Sequence, residues 1–441
     1  MAPRRSPERS RQPRHESVDG LARTGRYAGS VTDTSGRRLL YAPAFSGLLA
    51  TTFVLGLTSS FIAPFGSLWA TGEIGMSARS LGAFMTINSL CAIAIGTAVG
   101  RWSDSVLSRR TLLLVGASAG ALGNVGYAFV RDPVLLTAIG SSALALAAMN
   151  FAQLFAHVRE EIARHEGADA TFLMGVMRAC YALAWTAGPN LGAALKGDFG
   201  YRGLFLTTAG FFLLLIGCVL GFVRRRPRSE QPRATGANEA RGSRWSAWGL
   251  GEPGVLAHCL AFGLMFAAFT LNGLNLPLVL KQSGADETAI ATAFAISPLC
   301  EMAFMVGFGH VAARGHQRAV IVLGTSAAIV YFVALRFAAA PWHVYALQVL
   351  NASAVAVVTS VAIPYFQDLL PSRAGIATSL YSSALKAGAL IGFATFGVLG
   401  SRVDGRGLFL VCAAFATATV SLIVLATPRG RTARAPTKAS L

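Results

Sequence analysis

Of the twenty Asp and Glu residues in the chain, only Glu301 stands well inside a long apolar block. Two basic residues share that setting, Arg178 and Lys386. An ionisable group among apolar neighbours is costly unless paired or hydrated, so each of the three calls for a chemical role. A carboxyl group in such a place can take up and release a proton. Burial favours its neutral form, a nearby cation favours its charged form, and a cation that moves switches between them. The expectation is that Glu301 carries a proton while Arg178 and Lys386 tune its affinity; the competing reading is a permanent salt bridge. At ~1.5 Å per residue, all three lie roughly 10–18 Å from the same end of their helices.

A second set of residues suits a ring-shaped ligand rich in hydroxyls, which needs hydrogen-bonding partners and an aromatic face. The candidates are Asn88, Asn150, Gln153, Asn272, Asn275 and Asn351, with Asn124 and Gln348 beside them and Trp185 and Tyr381 for stacking. Asn150 and Gln153, like Asn272 and Asn275, are one helical turn apart, so each pair faces one side of its helix. The competing role for any of them is packing between helices, and His258 is read as packing. No HExxH, GxSxG, phosphate loop or carboxylate cluster at metal spacing occurs, so neither catalysis nor a cofactor or metal is expected. The six cysteines show no CxxC spacing and read as small buried hydrophobes.

The elements that must position these groups are membrane spans. Charged residues make up 13% of the 441 residues, about half the share in soluble domains, and hydrophobic residues 54%. The apolar residues form blocks of about 20, long enough to cross a hydrocarbon slab of ~30 Å. Twelve spans are expected, at 42–70, 77–99, 111–130, 134–156, 171–195, 202–223, 254–280, 287–310, 318–338, 341–363, 374–399 and 405–427. With both termini inside, 28 of the 38 Lys and Arg fall in inner segments and 8 in outer ones. That asymmetry is the positive-inside bias, and it accounts for the net charge of +18 without a nucleic-acid partner. The expected organisation is a disordered tail at 1–41, a six-helix bundle at 42–223, a cytoplasmic linker at 224–253, a second six-helix bundle at 254–427 and a tail at 428–441.

The halves carry traces of duplication. Gly100…Asp104…Arg109-Arg110 follows span two, and Gly309…Arg314…Arg318 follows span eight, superposed by a shift of 209 residues. Gly167 precedes Arg178 by eleven residues, as Gly375 precedes Lys386, at a shift of 208. Parallel six-helix repeats are a recurring transporter design.

The Gly100…Asp104…Arg109-Arg110 loop resembles the loop 2–3 signature of the major facilitator superfamily, with Ser105 in place of the usual first Arg. Gly188-Pro189 in span five resembles the GP motif of its exporters; a Gly-Pro inside a helix frees a backbone acceptor and bends it. Phe155-Ala-His-Val-Arg159-Glu160, Met177-Arg178-Ala179 and Tyr365-Phe-Gln367-Asp368 through Tyr381 resemble the bacterial sugar efflux transporters, with Lys386 where that family is expected to have Arg. The resemblance implies an all-α fold of two pseudo-symmetric bundles with helices 2, 5, 8 and 11 at their interface. It also implies a monomer in the bacterial inner membrane, gating by Gly100, Asp104, Arg109, Arg110, Gly188, Pro189 and Asp368, and proton-driven export of simple sugars and glycosides. Export of drugs or other amphiphiles is the alternative, which the 27 Phe keep open.

Overall fold

The computed structural model describes residues 43–103, 108–165, 170–224 and 254–426. The expected tails, nearly all of the linker, Gly167 and the gating residue Asp104 lie outside the described residues, and of Gly100 only its place in a helix is described. Every regular element among the described residues is helical. In chain order they are α1 (Pro43–Ser60), α2 (Gly66–Gly72), α3 (Ala78–Ser103), α4 (Arg109–Phe129), α5 (Pro133–Ile162) and α6 (Ala170–Phe222). Then come α7 (Val255–Gln282), α8 (Glu287–Val311), α9 (Gln317–Leu335), α10 (Pro341–Leu369), α11 (Ala374–Leu399) and α12 (Gly405–Ala426).

Local chemistry fixes several starts. Ser108 caps α4 by accepting from the Thr111 amide, Asp132 caps α5 through the Val134 and Leu135 amides, and Asp286 caps α8 through the Ala289 amide. Each cap satisfies amides that a helix start leaves without a partner. Pro133 and Pro341 occupy first-turn positions, where the missing N–H costs nothing.

Among the described residues, nine helices are long and apolar enough to cross a membrane, against the twelve spans expected. The difference has a physical origin. The run Phe172–Phe222 holds two helical stretches that abut at Gly200 (φ 64°, ψ −168°) with no intervening loop, and Glu287–Leu335 turns likewise at Gly315 (φ 91°). Both glycines adopt positive φ, which a side chain would oppose. The first apolar block is broken by a turn at Phe61–Phe65 into α1 and α2.

The loops alternate between two ends of the bundle. One end, called the upper, carries residues 73–77, 130–132, 196–201, 283–286, 336–340 and 400–404; the other is the lower. Helix α1 packs along α6, α4 along α5 and α6, α7 along α11 and α12, and α9 along α10 and α12. Two further seams join elements distant in sequence, α3 with α11 and α6 with α8. Glycines make several of these approaches possible. A Cβ on Gly188 would strike Ser60 of α1, and one on Gly192 would strike the Phe61 carbonyl. The Gly188-Pro189 motif is therefore a close packing seam, and Ser60 Oγ donates to the Ala184 carbonyl there at 2.9 Å.

Candidate functional site

The helix α10 is not regular. Val357–Val361 forms a π turn, in which hydrogen bonds run from residue i to i+5 and backbone carbonyls leave the regular ladder. Two of those carbonyls accept side-chain bonds from other helices. Arg178 Nη1 of α6 donates to the Thr359 carbonyl at 3.2 Å, and Tyr381 Oη of α11 donates to the Val358 carbonyl. The Thr359 side chain completes the junction, its Oγ1 lying 2.9 Å from Glu301 Oε1 of α8. Glu301 and Arg178 are thus joined through one residue, Thr359.

Thr359 Oγ1 also lies 2.9 Å from the Val355 carbonyl. A hydroxyl has one hydrogen, so it donates to Glu301 or to Val355 but not to both at full strength. When Glu301 is ionised it accepts from Thr359. When it is protonated, its own O–H donates to Thr359, whose hydrogen turns to Val355. The Thr359 hydroxyl is thus a rotor with two acceptors in reach, the Glu301 carboxyl and the Val355 carbonyl.

The third predicted ionisable residue, Lys386, is exposed on α11 and joins neither Glu301 nor Arg178 by a described contact. It lies on the stripe of α11 that carries Phe393 and Gly397, the residues facing α3, because 386, 390, 393 and 397 follow helical spacing.

The predicted polar residues divide. Asn351 Nδ2 donates to Ser297 Oγ at 3.0 Å and Gln348 Oε1 at 3.1 Å, forming a second α8–α10 rung about one turn of α8 above Glu301. Among the described residues its buried Oδ1 has no hydrogen-bond partner; the Trp185 indole stands beside Tyr181, seven residues from Arg178 on the same stripe of α6. Tyr381 is buried and held by the Val358 carbonyl. The others are engaged away from this junction. Asn150 is fully buried against Gly116, where its amide, with O and N exchanged, pairs the Leu113 carbonyl and the Ala117 amide of α4. Asn275 Nδ2 donates to the Gly405 carbonyl at 2.6 Å, and Asn272 Nδ2 to Tyr331 Oη at 3.3 Å. Asn88 packs on Gly140 of α5, its amide nitrogen close to where a Cβ would stand.

Gln153 belongs to a lower-end cluster. Arg109 Nε donates to Glu160 Oε1 at 2.6 Å and Nη1 to Gln153 Oε1 at 3.2 Å. Arg110 donates to the Leu220 carbonyl at 2.9 Å. A counterpart occurs 208 residues on, where Gln317 Nε2 donates to Asp368 Oδ2 at 2.9 Å and Arg318 to the Val424 carbonyl at 3.0 Å. Arg109 thus matches Gln317, Glu160 matches Asp368 and Arg110 matches Arg318. Three of these pairs match at a shift of 208, while the acceptor carbonyls Leu220 and Val424 differ by 204; at 208 a Gln stands opposite Arg109, where the sequence match of Gly100 with Gly309 at 209 places Arg318.

The upper end carries contacts across both seams. Lys196 Nζ lies 2.6 Å from Glu287 Oε1 across the α6–α8 seam, with Lys281 Nζ 3.2 Å from the same oxygen. Thr292 Oγ1 meets Asn190 Oδ1 at 3.2 Å. In the α3–α11 seam, Gly82 and Gly397 touch backbone to backbone.

Sequence reasoning missed Thr359, the residue that joins the junction. Its signal was Val357-Val-Thr-Ser-Val361, a run dominated by β-branched residues, which crowd a regular helix.

The sequence pattern of the Major Facilitator Superfamily matches residues 48–270 and again 258–440. A protein of Deinococcus radiodurans named "Putative sugar efflux transporter" is 30% identical over 400 residues, 89% of this chain and 100% of the relative. "Sugar efflux transporter A" of Escherichia coli is 26% identical over 349 residues, 79% of this chain and 87% of its own length. The crystal structure of the nucleoside transporter NupG superposes with a TM-score of 0.71 at 16% identity, covering 87% of this chain and 98% of NupG, a likeness of fold.

Proposed function

The chain belongs to the major facilitator superfamily, and from that premise we propose that it exports simple sugars and sugar-like glycosides by proton-coupled alternating access. The substrate class is supported by relatives named as sugar efflux transporters that align along most of the chain. The coupling is supported by the Glu301–Thr359 contact, the observation that carries the reading.

In this reading Phe172–Phe222 and Glu287–Leu335 each cross twice, bending at Gly200 and Gly315, and α1 with α2 supplies one more crossing. The nine helices then make eleven spans and α1 with α2 the twelfth, in two six-helix bundles that meet at the α3–α11 and α6–α8 seams. The upper end faces outside and both termini lie in the cytoplasm of a bacterial inner-membrane monomer. The state described is closed to the outside by Gly82 with Gly397 and by Lys196 with Glu287.

Ionised Glu301 is a strong acceptor for a sugar hydroxyl, since hydrogen bonds to a charged acceptor are roughly twice as strong as neutral ones. Asn351 Oδ1, without a partner among the described residues, supplies an acceptor nearby, and the Trp185 indole an aromatic face. A proton arriving from outside converts Glu301 to a donor paired with Thr359, so the acceptor is withdrawn and the sugar leaves. Release of the proton to the cytoplasm restores the acceptor. Proton and sugar compete for one carboxyl, which is the requirement for exchange.

The test is sugar accumulation in everted vesicles under an imposed pH gradient. Wild-type protein accumulates lactose or glucose and loses it on addition of a protonophore. Glu301→Gln abolishes accumulation and leaves only slowed downhill sugar movement, since its neutral amide oxygen is the weaker acceptor; full gradient-driven transport by Glu301→Gln would end the proposal.

A further inference from the structure

A groove of about 440 Å³ opens between α3 and α11 at the upper end, lined by Arg79, Gly82, Ile87, Ala394, Val398 and Arg402 among others. It opens on the outer face of the bundle, because Ile87 and Val398 are 44% and 55% exposed there and Leu90 and Ile391 continue the same apolar surface. In a membrane, that face meets lipid tails. The depth also suits a lipid: Ala394 to Arg402 is eight residues, about 12 Å at helical rise, and the wall below the arginines is apolar apart from Thr86, whose hydroxyl is turned onto the Gly82 carbonyl.

The mouth carries two cations, one from each side of the seam. Arg79 lies at the start of α3 and Arg402 just beyond the end of α11, both exposed. Among the described residues neither makes a side-chain hydrogen bond or an ion pair, whereas nearby carboxylates are engaged. Glu73 pairs with Arg131 at 2.7 Å, Glu287 with Lys196 and Lys281, and Asp404 caps the Gly407 amide. Two guanidinium groups over an apolar slot form a charge pattern complementary to one molecule type, an anionic headgroup above acyl chains. Arginine suits a phosphate because its planar fork presents paired donors.

We propose that this groove seats one anionic phospholipid of the outer leaflet, its phosphate shared between Arg79 and Arg402 and an acyl chain lying over Gly82 and Gly397. The assignment to the outer leaflet rests on the orientation proposed above. A phosphate held by both arginines ties α3 to α11 at the seam that must part when the transporter opens outward. Bound lipid therefore favours the outward-closed state, and outward opening releases it.

The test is native mass spectrometry of the full chain titrated with phosphatidylglycerol, and separately with phosphatidylcholine. The expected result is one tight phosphatidylglycerol site, weakened at least tenfold in the double variant Arg79→Gln/Arg402→Gln and unaffected by millimolar inorganic phosphate. Equal retention by the double variant, or equal affinity for phosphatidylcholine, would overturn the proposal; displacement by inorganic phosphate would show a free-anion site instead. Matched melting curves of parent and variant guard against misfolding. Orientation is read separately, by labelling Arg402→Cys in intact cells with an impermeant maleimide against the parent's background. Failure to label from outside counts against the orientation alone, since the lipid titration requires neither orientation nor transport.

Discussion

Gly82→Ala tests the proposal that the upper end is an outer gate closed at the α3–α11 seam. A Cβ added at Gly82 would stand 2.6 Å from Gly397 N, 2.9 Å from the Phe393 carbonyl and closer still to Gly397 Cα. Ordinary contact begins near 3.4 Å, and all three obstacles are backbone, which has no rotamer to yield. Helices α3 and α11 must therefore part by about 1 Å at this point in the closed state, while an outward-open state has room for the methyl group. Overpacking of this kind costs roughly 1–3 kcal/mol. Because it falls on one state only, and each ~1.4 kcal/mol is a factor of ten, the closed-to-open ratio falls roughly 5- to 150-fold. The assay is double electron–electron resonance between spin labels at Ser80 and Ser401, with native cysteines replaced by serine. Gly82→Ala should enlarge the long-distance population, and Gly217→Ala, which has nothing within 4 Å, should not. A distance distribution unchanged in Gly82→Ala would refute the claim that this backbone contact closes the gate.

Other outcomes follow from the same contacts. Gly192→Ala drives a Cβ into the Phe61 carbonyl and should lower stability by about 1–3 kcal/mol, while Gly210→Ala, in open space, leaves the melting temperature unchanged; a thermal shift measurement separates them. Thr359→Val keeps the side-chain volume but removes the donor to Glu301, so gradient-driven transport should fall about tenfold or more, with Thr359→Ser retaining most of it. Lys196→Gln leaves Glu287 paired only with Lys281 and should raise labelling of the outer cavity by an impermeant thiol reagent severalfold; unchanged labelling would remove that ion pair from the gate.

Much of the fold was legible because the bilayer imposes a simple length rule. The expected ends at 77, 287, 341, 374 and 405 fall within a residue of helix starts at Ala78, Glu287, Pro341, Ala374 and Gly405. The bends at Gly200 and Gly315 were read as loops, since polar residues surround them; helix abuts helix at each, with a single positive-φ glycine making the turn. The candidate site was legible where charge is expensive: Glu301 and Arg178 stand out in apolar sequence, and the structure links them. It was opaque where chemistry is neutral. An Asn in a span donates equally well to a ligand or to a neighbouring carbonyl, and only geometry shows that Asn150 and Asn275 are spent on packing. Thr359 was hidden because its importance comes from a π turn that frees carbonyls, a backbone feature with only a β-branched run to announce it. Lys386 was grouped with Glu301 by depth along the helix, but depth leaves the facing direction open, and its stripe faces α3.

The most direct test of the central claim is the sugar-dependent proton flux of purified protein in sealed proteoliposomes, with a pH-sensitive dye inside. The account predicts that an opposing sugar gradient drives protons across with the wild-type protein, that Glu301→Gln moves sugar without protons, and that Thr359→Val carries a strongly reduced proton flux. Sugar-driven proton movement undiminished in Glu301→Gln would contradict the assignment of coupling to this carboxyl and to the rotor beside it.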